Sequence, residues 1–166
     1  MFKNVTLSLS ELLGSKYTAT LIAANYAIGA LSLGEGADLA NGRVEFYPEE
    51  VQKKNSEMLS LVGKQVADPM PHVTDGAPTD SFRKAASRDA APVAARGYYR
   101  VGEDGKLYFI GKSEHYHASL GHSFPGYRLI DRARALGIPN ATHNNTRGYI
   151  TRLCEEKLIE IGRAHV

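Results

Sequence analysis

The sequence predicts a mixed α+β chain, and three observations predict it. Apolar residues recur with helical spacing in several stretches before residue 67. A hairpin signal stands at Gly97–Ile110. Two more helical patterns follow from Pro125 onward. At 166 residues the chain is long enough to bury a core as one domain. It is 43% hydrophobic and 23% charged, the balance of an ordinary soluble globular protein. The net charge of +2 is too small to argue for nucleic acid, and no Lys/Arg run forms a basic stripe. Arg128, Arg132 and Arg134 cluster, but Asp131 lies among them, which predicts a solvated helix face.

The elements follow in order. Ser8 or Ser10 caps a short first helix that ends near Gly14, because a side-chain oxygen there satisfies an orphan helix N–H. Ser15 or Thr18 opens a longer helix to about Leu33, with Leu21, Ile22, Tyr26, Ile28, Leu31 and Leu33 on a broad apolar face. This is the most apolar run of the chain. Asn25, Tyr26 and Gly29 interrupt it, and it falls short of the ~20 residues of a membrane span, so it reads as a buried helix. Gly34-Glu35-Gly36 breaks or weakens it. Asn41-Gly42 is a turn signal, and Val44 to Tyr47 form a short extended piece. Pro48-Glu49-Glu50 starts a helix, since proline costs nothing at the first position and acids favour the N-terminal dipole. That helix is expected to reach about Val66, with Val51, Met58, Leu59 and Val62 inward.

Asp68 to Asp80 is a loop, because its prolines and glycine exclude regular structure. His72 within it is expected to be exposed. Asp80 caps a short helix, Ser81 to Ala86, which Ala90-Ala91-Pro92 ends. Gly97 to Val101 and Lys106 to Ile110 then form a hairpin about Asp104-Gly105. Pro125 opens a helix with Leu129, Ile130, Ala133 and Leu136 on one face. Gly137 caps it and Pro139 stands just beyond. Thr146 caps the last helix, whose apolar positions are Tyr149, Ile150, Leu153, Leu158 and Ile159. The chain therefore divides into a helical region 1–67, a loop with a short helix 68–95, a hairpin with two helices 96–160, and a tail 161–166.

The groups that bind or catalyse concentrate between Asp104 and Ile161. His115, His117 and His122 with Glu114 invite a metal, but no fourth ligand stands at helical spacing. Ser119 or Ser123 could join a histidine and an acid, yet no G-x-S-x-G elbow is present. No dinucleotide fingerprint and no Walker A occur. The loop Asn140 to Gly148 ends at a helix N-terminus and could offer donors to an anion. It could equally satisfy a plain helix connection. The single cysteine, Cys154, excludes a disulfide framework and fits a reducing compartment. Its amphipathic context predicts a buried structural thiol. The N-terminus carries no secretory signal. A cytoplasmic protein is expected.

Asp104-Gly105-Lys106-Leu107-Tyr108-Phe109 stands as D-G-x-x-Y, and Leu120 to Pro125 as L-G-H-x-x-P. Thr142-His143-Asn144-Asn145 is a polar H-x-x-N type loop, and Leu153-Cys154-Glu155-Glu156-Lys157-Leu158 a helix of the L-A-E-x-L kind. In this order and spacing the segment from Asp104 to Ile159 resembles the N-terminal portion of class III (ornithine/4-aminobutyrate type) aminotransferases. The first hundred residues do not show the usual start of that family.

The resemblance implies an α/β enzyme of fold type I whose cofactor is pyridoxal 5'-phosphate. A lysine carries the cofactor and moves a proton, and the cofactor serves as electron sink. It implies an amino acid or amine substrate and a homodimer, with no nucleic acid or membrane partner. Ser113, Glu114, His115 and Tyr116 would lie on the substrate side. Thr142, His143, Asn144 and Asn145 would lie near the cofactor or across the dimer. Arg147 would take a substrate carboxylate through its fork, or form a structural salt bridge at its helix. The lysine, the phosphate loop and the aspartate facing the pyridinium nitrogen lie downstream of the matched part in that family. The chain is accordingly expected to be an N-terminal fragment, inactive alone. Residues Ile161 to Val166 match the translated read-through of a common sequencing adapter, so an artefactual tail is expected. The alternatives are a non-catalytic α+β ligand-binding or structural module and, behind it, a metal-dependent hydrolase using His115, His117 and His122.

Overall fold

The computed structural model describes residues 2–74, 76–81, 89–110, 120–139 and 148–163. Its architecture is α+β, with six helices and two small antiparallel sheets among those residues. Two compact units divide the chain, and each is assembled from two separated stretches. A helical unit comprises Val5–Glu45 with Gly126–Val166. A sheet unit comprises Met1–Asn4 with Phe46–Pro125.

The helical unit starts with a two-residue strand, β1 (Thr6–Leu7), paired antiparallel with β2 (Val44–Glu45). Helix α1 (Leu9–Leu13) follows, and Ser8 is the cap. The Ser8 hydroxyl accepts from Glu11 N–H at 3.2 Å, and the Glu11 carboxylate accepts from Ser8 N–H at 2.8 Å. Two orphan donors are thus satisfied reciprocally. Helix α2 (Ser15–Ala27) ends six residues before the expected Leu33. Gly29 turns the chain with φ 71°, and a second capping box at Ser32 and Glu35 starts α3 (Leu33–Asn41). The break therefore lies at Gly29–Ser32, and Gly34 and Gly36 sit inside α3. Gly36 is buried there because a Cβ would come within 2.9 Å of Ile22. That close approach packs α3 on α2.

The apolar run does not form the buried face expected of it. Thr18 and Asn25 are the residues α2 buries, while Tyr26, Ile28 and Leu33 are exposed. Asn25 Nδ2 donates to the Leu21 carbonyl at 2.9 Å and to the Leu136 carbonyl at 3.0 Å. A buried amide with both donors used is a link between helices, and periodicity of apolar residues cannot reveal it.

Leu136 ends α5 (Arg128–Ala135), which Pro125–Tyr127 open as a 3-10 turn. Leu129 and Leu136 are buried as expected, while Ile130 is exposed. Gly137 has φ 72°, the Ile138 N–H reaches the Ala133 carbonyl and the Gly137 N–H reaches that of Arg134, both at 3.0 Å. This is a complete Schellman cap, and it needs a residue that adopts left-handed φ without cost. Arg132, expected on a solvated face, instead donates from Nη1 to the Asp38 carbonyl at 3.0 Å and packs against Gly42. Helix α6 (Tyr149–Arg163) is fixed by Tyr149, which stacks on Tyr17 with centroids 4.1 Å apart and donates to the Leu13 carbonyl at 2.7 Å. Leu158 and Ile159, expected inward, are exposed, and so is Cys154, expected buried. The expected cap Thr146 lies outside the described residues.

In the sheet unit, α4 (Glu49–Leu59) begins behind Pro48 as expected but stops well short of Val66. Gly63 adopts φ 81°, and the chain beyond α4 turns along β5 through isolated bridges. Val62 bridges Leu107 and Gln65 bridges Lys106. Val51 and Met58 are half-buried, whereas Leu59 and Val62 are exposed. The hairpin forms as predicted, with β4 (Tyr99–Gly102) against β5 (Leu107–Phe109) in the register Tyr99 to Phe109. A further strand, β3 (Pro92–Arg96), pairs with β4 where loop was expected, giving the order β3-β4-β5. A proline at the first position of an edge strand costs no ladder bond, so Pro92 is compatible with that strand. His72 is exposed in an irregular segment. Asp80 and Ser81 are helical, and 82–88 lie outside the described residues.

Candidate functional site

The sheet unit contains a small cleft built around the L-G-H-x-x-P stretch. Val51 and Asn55 reach it from one face of α4. Arg96 and Tyr98 flank it at the β3–β4 turn, and Leu120 with His122 to Pro125 complete the wall. Its enclosed space is about 40 Å³. Gly97 and His122 tie the pieces together in an antiparallel bridge. Gly97 N–H donates to the His122 carbonyl at 2.7 Å, and His122 N–H to the Gly97 carbonyl at 2.8 Å. Gly97 leads directly into β4, so the hairpin motif and the L-G-H-x-x-P motif hang on the same strand.

Aromatic packing positions this wall. Phe124 is buried, with its ring edge-on to Phe46 at 5.6 Å and tilted on Tyr47 at 5.0 Å. Gln52 locks the start of α4 to the chain's beginning. It accepts from Phe2 N–H at 2.8 Å and donates to the carbonyls of Phe2 and Tyr47 at 2.9 and 2.8 Å. Between His122 and Phe124 the backbone departs from ordinary geometry. Ser123 has φ 57°, the left-handed region that a side chain enters at a cost of roughly 1–2 kcal/mol. Asn55 lies over Gly97, where a Cβ would come within 2.9 Å of its Oδ1. That oxygen is buried without a hydrogen-bond partner, a cost on the order of 1–3 kcal/mol. Strain and an orphaned acceptor on one wall make this the best-marked place in the sheet unit.

The D-G-x-x-Y stretch is explained by the turn itself. Asp104 Oδ1 accepts from Lys106 N–H at 3.0 Å, and Oδ2 accepts from the Tyr108 hydroxyl at 2.8 Å. The Lys106 N–H bond, more than the Tyr108 hydroxyl and the Lys106 ammonium, holds the Asp104 carboxyl below its ordinary pKa. The hydrogen bond to Asp104 is also the main reason the Tyr108 phenol is raised. Aspartate, glycine and tyrosine are here the parts of one closed turn.

Every substrate-side and cofactor-side residue expected from the sequence falls outside the described residues: Ser113, Glu114, His115 and Tyr116, then Thr142, His143, Asn144, Asn145 and Arg147. His117 and Ser119 fall there too. Of the other candidates, His122 and Ser123 are brought to the same cleft. No carboxylate lines that cleft among the described residues, so no Ser–His–acid set is assembled there. Among the described residues no group of three or more metal-ligating side chains occurs, and no helix is long and apolar enough to cross a membrane. Sequence reasoning missed Asn55, Arg96 and Tyr98. Asn55 was within reach, because it lies on the helix face that Val51 and Met58 share. Compared with protein-family models, with curated proteins and with solved structures, the chain has no match.

This cleft does not fit pyridoxal phosphate. No lysine lines the cleft, and its enclosed space admits little more than a few water molecules. Lys106 and Lys157 are instead held at the surface by Asp104 at 3.3 Å and Glu160 at 2.7 Å.

Proposed function

We propose that the chain is the N-terminal part of a pyridoxal-phosphate-dependent aminotransferase, an enzyme that as a whole moves an amino group between an amino acid or amine and a keto acid. In this reading the part supplies a substrate-side wall and no cofactor-bearing lysine. One observation supports it best. The two motifs that carry the family resemblance, 104–109 and 120–125, are joined by the Gly97–His122 bridge into one layer beside a small cleft. Ser113 to Tyr116 would follow the second hairpin strand toward the substrate, Arg147 would take a substrate carboxylate, and Thr142 to Asn145 would lie near the cofactor or across a homodimer. The single cysteine fits a reducing compartment, which supports a cytoplasmic protein in this reading.

The test is trapping. The chain is incubated with pyridoxal phosphate, reduced with borohydride and digested, and the peptides are weighed. The expected result is scattered, substoichiometric labelling of surface lysines. One lysine labelled to completion would show a cofactor site within the chain and defeat the reading of an inactive part. A second reading, a non-catalytic α+β ligand-binding module, is favoured by the absence of lysine and carboxylate from the cleft wall among the described residues. It predicts that the chain binds a small ligand and carries no pyridoxal phosphate.

A further inference from the structure

The helical unit holds a second and much larger cavity, of about 590 Å³, inside the range of roughly 300–1,000 Å³ typical of small-molecule sites. One wall is α5 through Ile130, Ala133 and Arg134. The other is α6 through Ile150, Thr151, Cys154 and Glu155, with Tyr17 and Tyr149 adjoining. The helical periods agree with this. Ile130 and Arg134 are four residues apart on α5, and Ile150 and Cys154 are four apart on α6, so each pair lies on one face. The tyrosines are already engaged. Their rings stack at 4.1 Å and 13°, and the Tyr149 hydroxyl is bonded to the Leu13 carbonyl. They present aromatic surface to the cavity in a fixed geometry.

We propose that this cavity binds an amphipathic monocarboxylate, a linear or aromatic apolar body of roughly ten to twenty non-hydrogen atoms with its carboxylate on Arg134. The apolar body would cover Ile130, which is 47% exposed. The charge argument rests on Arg134. Its side chain is 77% exposed, and its described ion pair is Asp131 at 3.5 Å, one turn back on the same helix. Such a pair contributes little, and 3.5 Å is too long for a good hydrogen bond. The guanidinium fork is therefore available to a carboxylate, which it matches in a bidentate way. The inference does not rest on the aminotransferase reading, since it uses no cofactor and no lysine, and each can fail alone.

Cys154 makes the test specific, because it is the single cysteine of the chain, exposed, and on the cavity wall. The rate of its alkylation by iodoacetamide is measured on the full chain with increasing decanoate, below the micellar range and against free cysteine in the same solution. Decanoate is expected to slow alkylation about ten-fold at saturation. Decanol is expected to protect only at higher concentration, and acetate not at all. Arg134→Gln is expected to raise the half-protecting concentration of decanoate about ten-fold or more, the loss of one charged hydrogen-bond partner. Arg134→Lys, which keeps the charge and loses the fork, should fall between. Circular dichroism checks that the variants fold. Unchanged alkylation in decanoate, faster alkylation, or equal protection of wild type and Arg134→Gln would overturn the proposal. Protection that grows with protein concentration and ignores decanoate would also overturn it, by placing a second copy of the chain in the groove.

Discussion

The two units are held by different chemistry. In the helical unit, side chains close the helix ends and link the helices. Ser8 with Glu11 and Ser32 with Glu35 close the capping boxes, Asn25 joins α2 to α5, and Arg132 reaches the end of α3. In the sheet unit, backbone groups carry most of the long-range links. The segment after α4 pairs with β5 through Gly63 N–H to Leu107 O at 2.7 Å and Leu107 N–H to Lys64 O at 3.0 Å, and Gly97 pairs with His122. The first unit is therefore most sensitive to its polar side chains. The second is sensitive wherever a Cβ would enter a turn.

Core truncation gives the largest expected effect and separates the units. Leu136 has no exposed surface and seals the α5 end against Asn25, so Leu136→Ala should cost about 3–5 kcal/mol in urea unfolding. Leu107 is also buried, but its backbone bonds on both sides survive truncation. Leu107→Ala should fall nearer about 2 kcal/mol. A reversed order would break the contrast.

Turn glycines come next. Gly105 has φ 75°, and a Cβ there would strike the Ala67 carbonyl. Gly105→Ala should cost about 2 kcal/mol or more, because left-handed backbone and a fixed carbonyl act together. Gly137→Ala should cost less, about 1 kcal/mol, since its Cβ would meet the Asn25 side chain at 2.8 Å and that side chain has more freedom to shift. Equal losses in thermal unfolding would show that the two units respond to backbone change alike.

Caps give the smallest effect and the pH dependence. Ser8→Ala and Ser32→Ala should each cost about 1 kcal/mol. Glu11 is held below its ordinary pKa chiefly by Ser8 N–H, and Glu35 chiefly by the Ser32 hydroxyl. A carboxylate depressed by folding stabilises above its unfolded pKa of about 4.3 and loses that contribution as pH falls through the folded value. Melting temperature should therefore drop on acidification below about pH 4.5, and the drop should be shallower in Glu11→Gln. An unchanged slope would remove these caps from the account.

The same contrast explains what the sequence revealed. Ser8, Pro48, Asp104-Gly105 and Gly137 act on residues within about five positions, so their spelling announced α1, α4, the hairpin and the α5 cap. The Ser32-x-x-Glu35 signal was equally local, but the apolar run around it drew the helix across its true break. Links over tens of residues left no such spelling. Nothing in Val62 announces a partner at Leu107, nothing in Asn25 one at Leu136, and nothing in Gly97 one at His122. Apolar counting also misplaced Ile28, Leu158 and Cys154, since period alone does not say which face a neighbour covers. In the cleft, His122 was legible as a reactive type. Asn55 was legible only as a neighbour of Val51 and Met58 on one helix face, and Arg96 not at all, because an ordinary strand residue becomes a site residue only through tertiary pairing.

The central claim, that this chain is the first part of an aminotransferase, is tested most directly by reading the coding sequence past the codon for Ile161. The expected result is a frame that continues, a product that binds pyridoxal phosphate, and a cofactor fixed by borohydride to one lysine downstream of α6. A native stop codon after Val166, in a gene whose product leaves pyridoxal phosphate unbound, would contradict it.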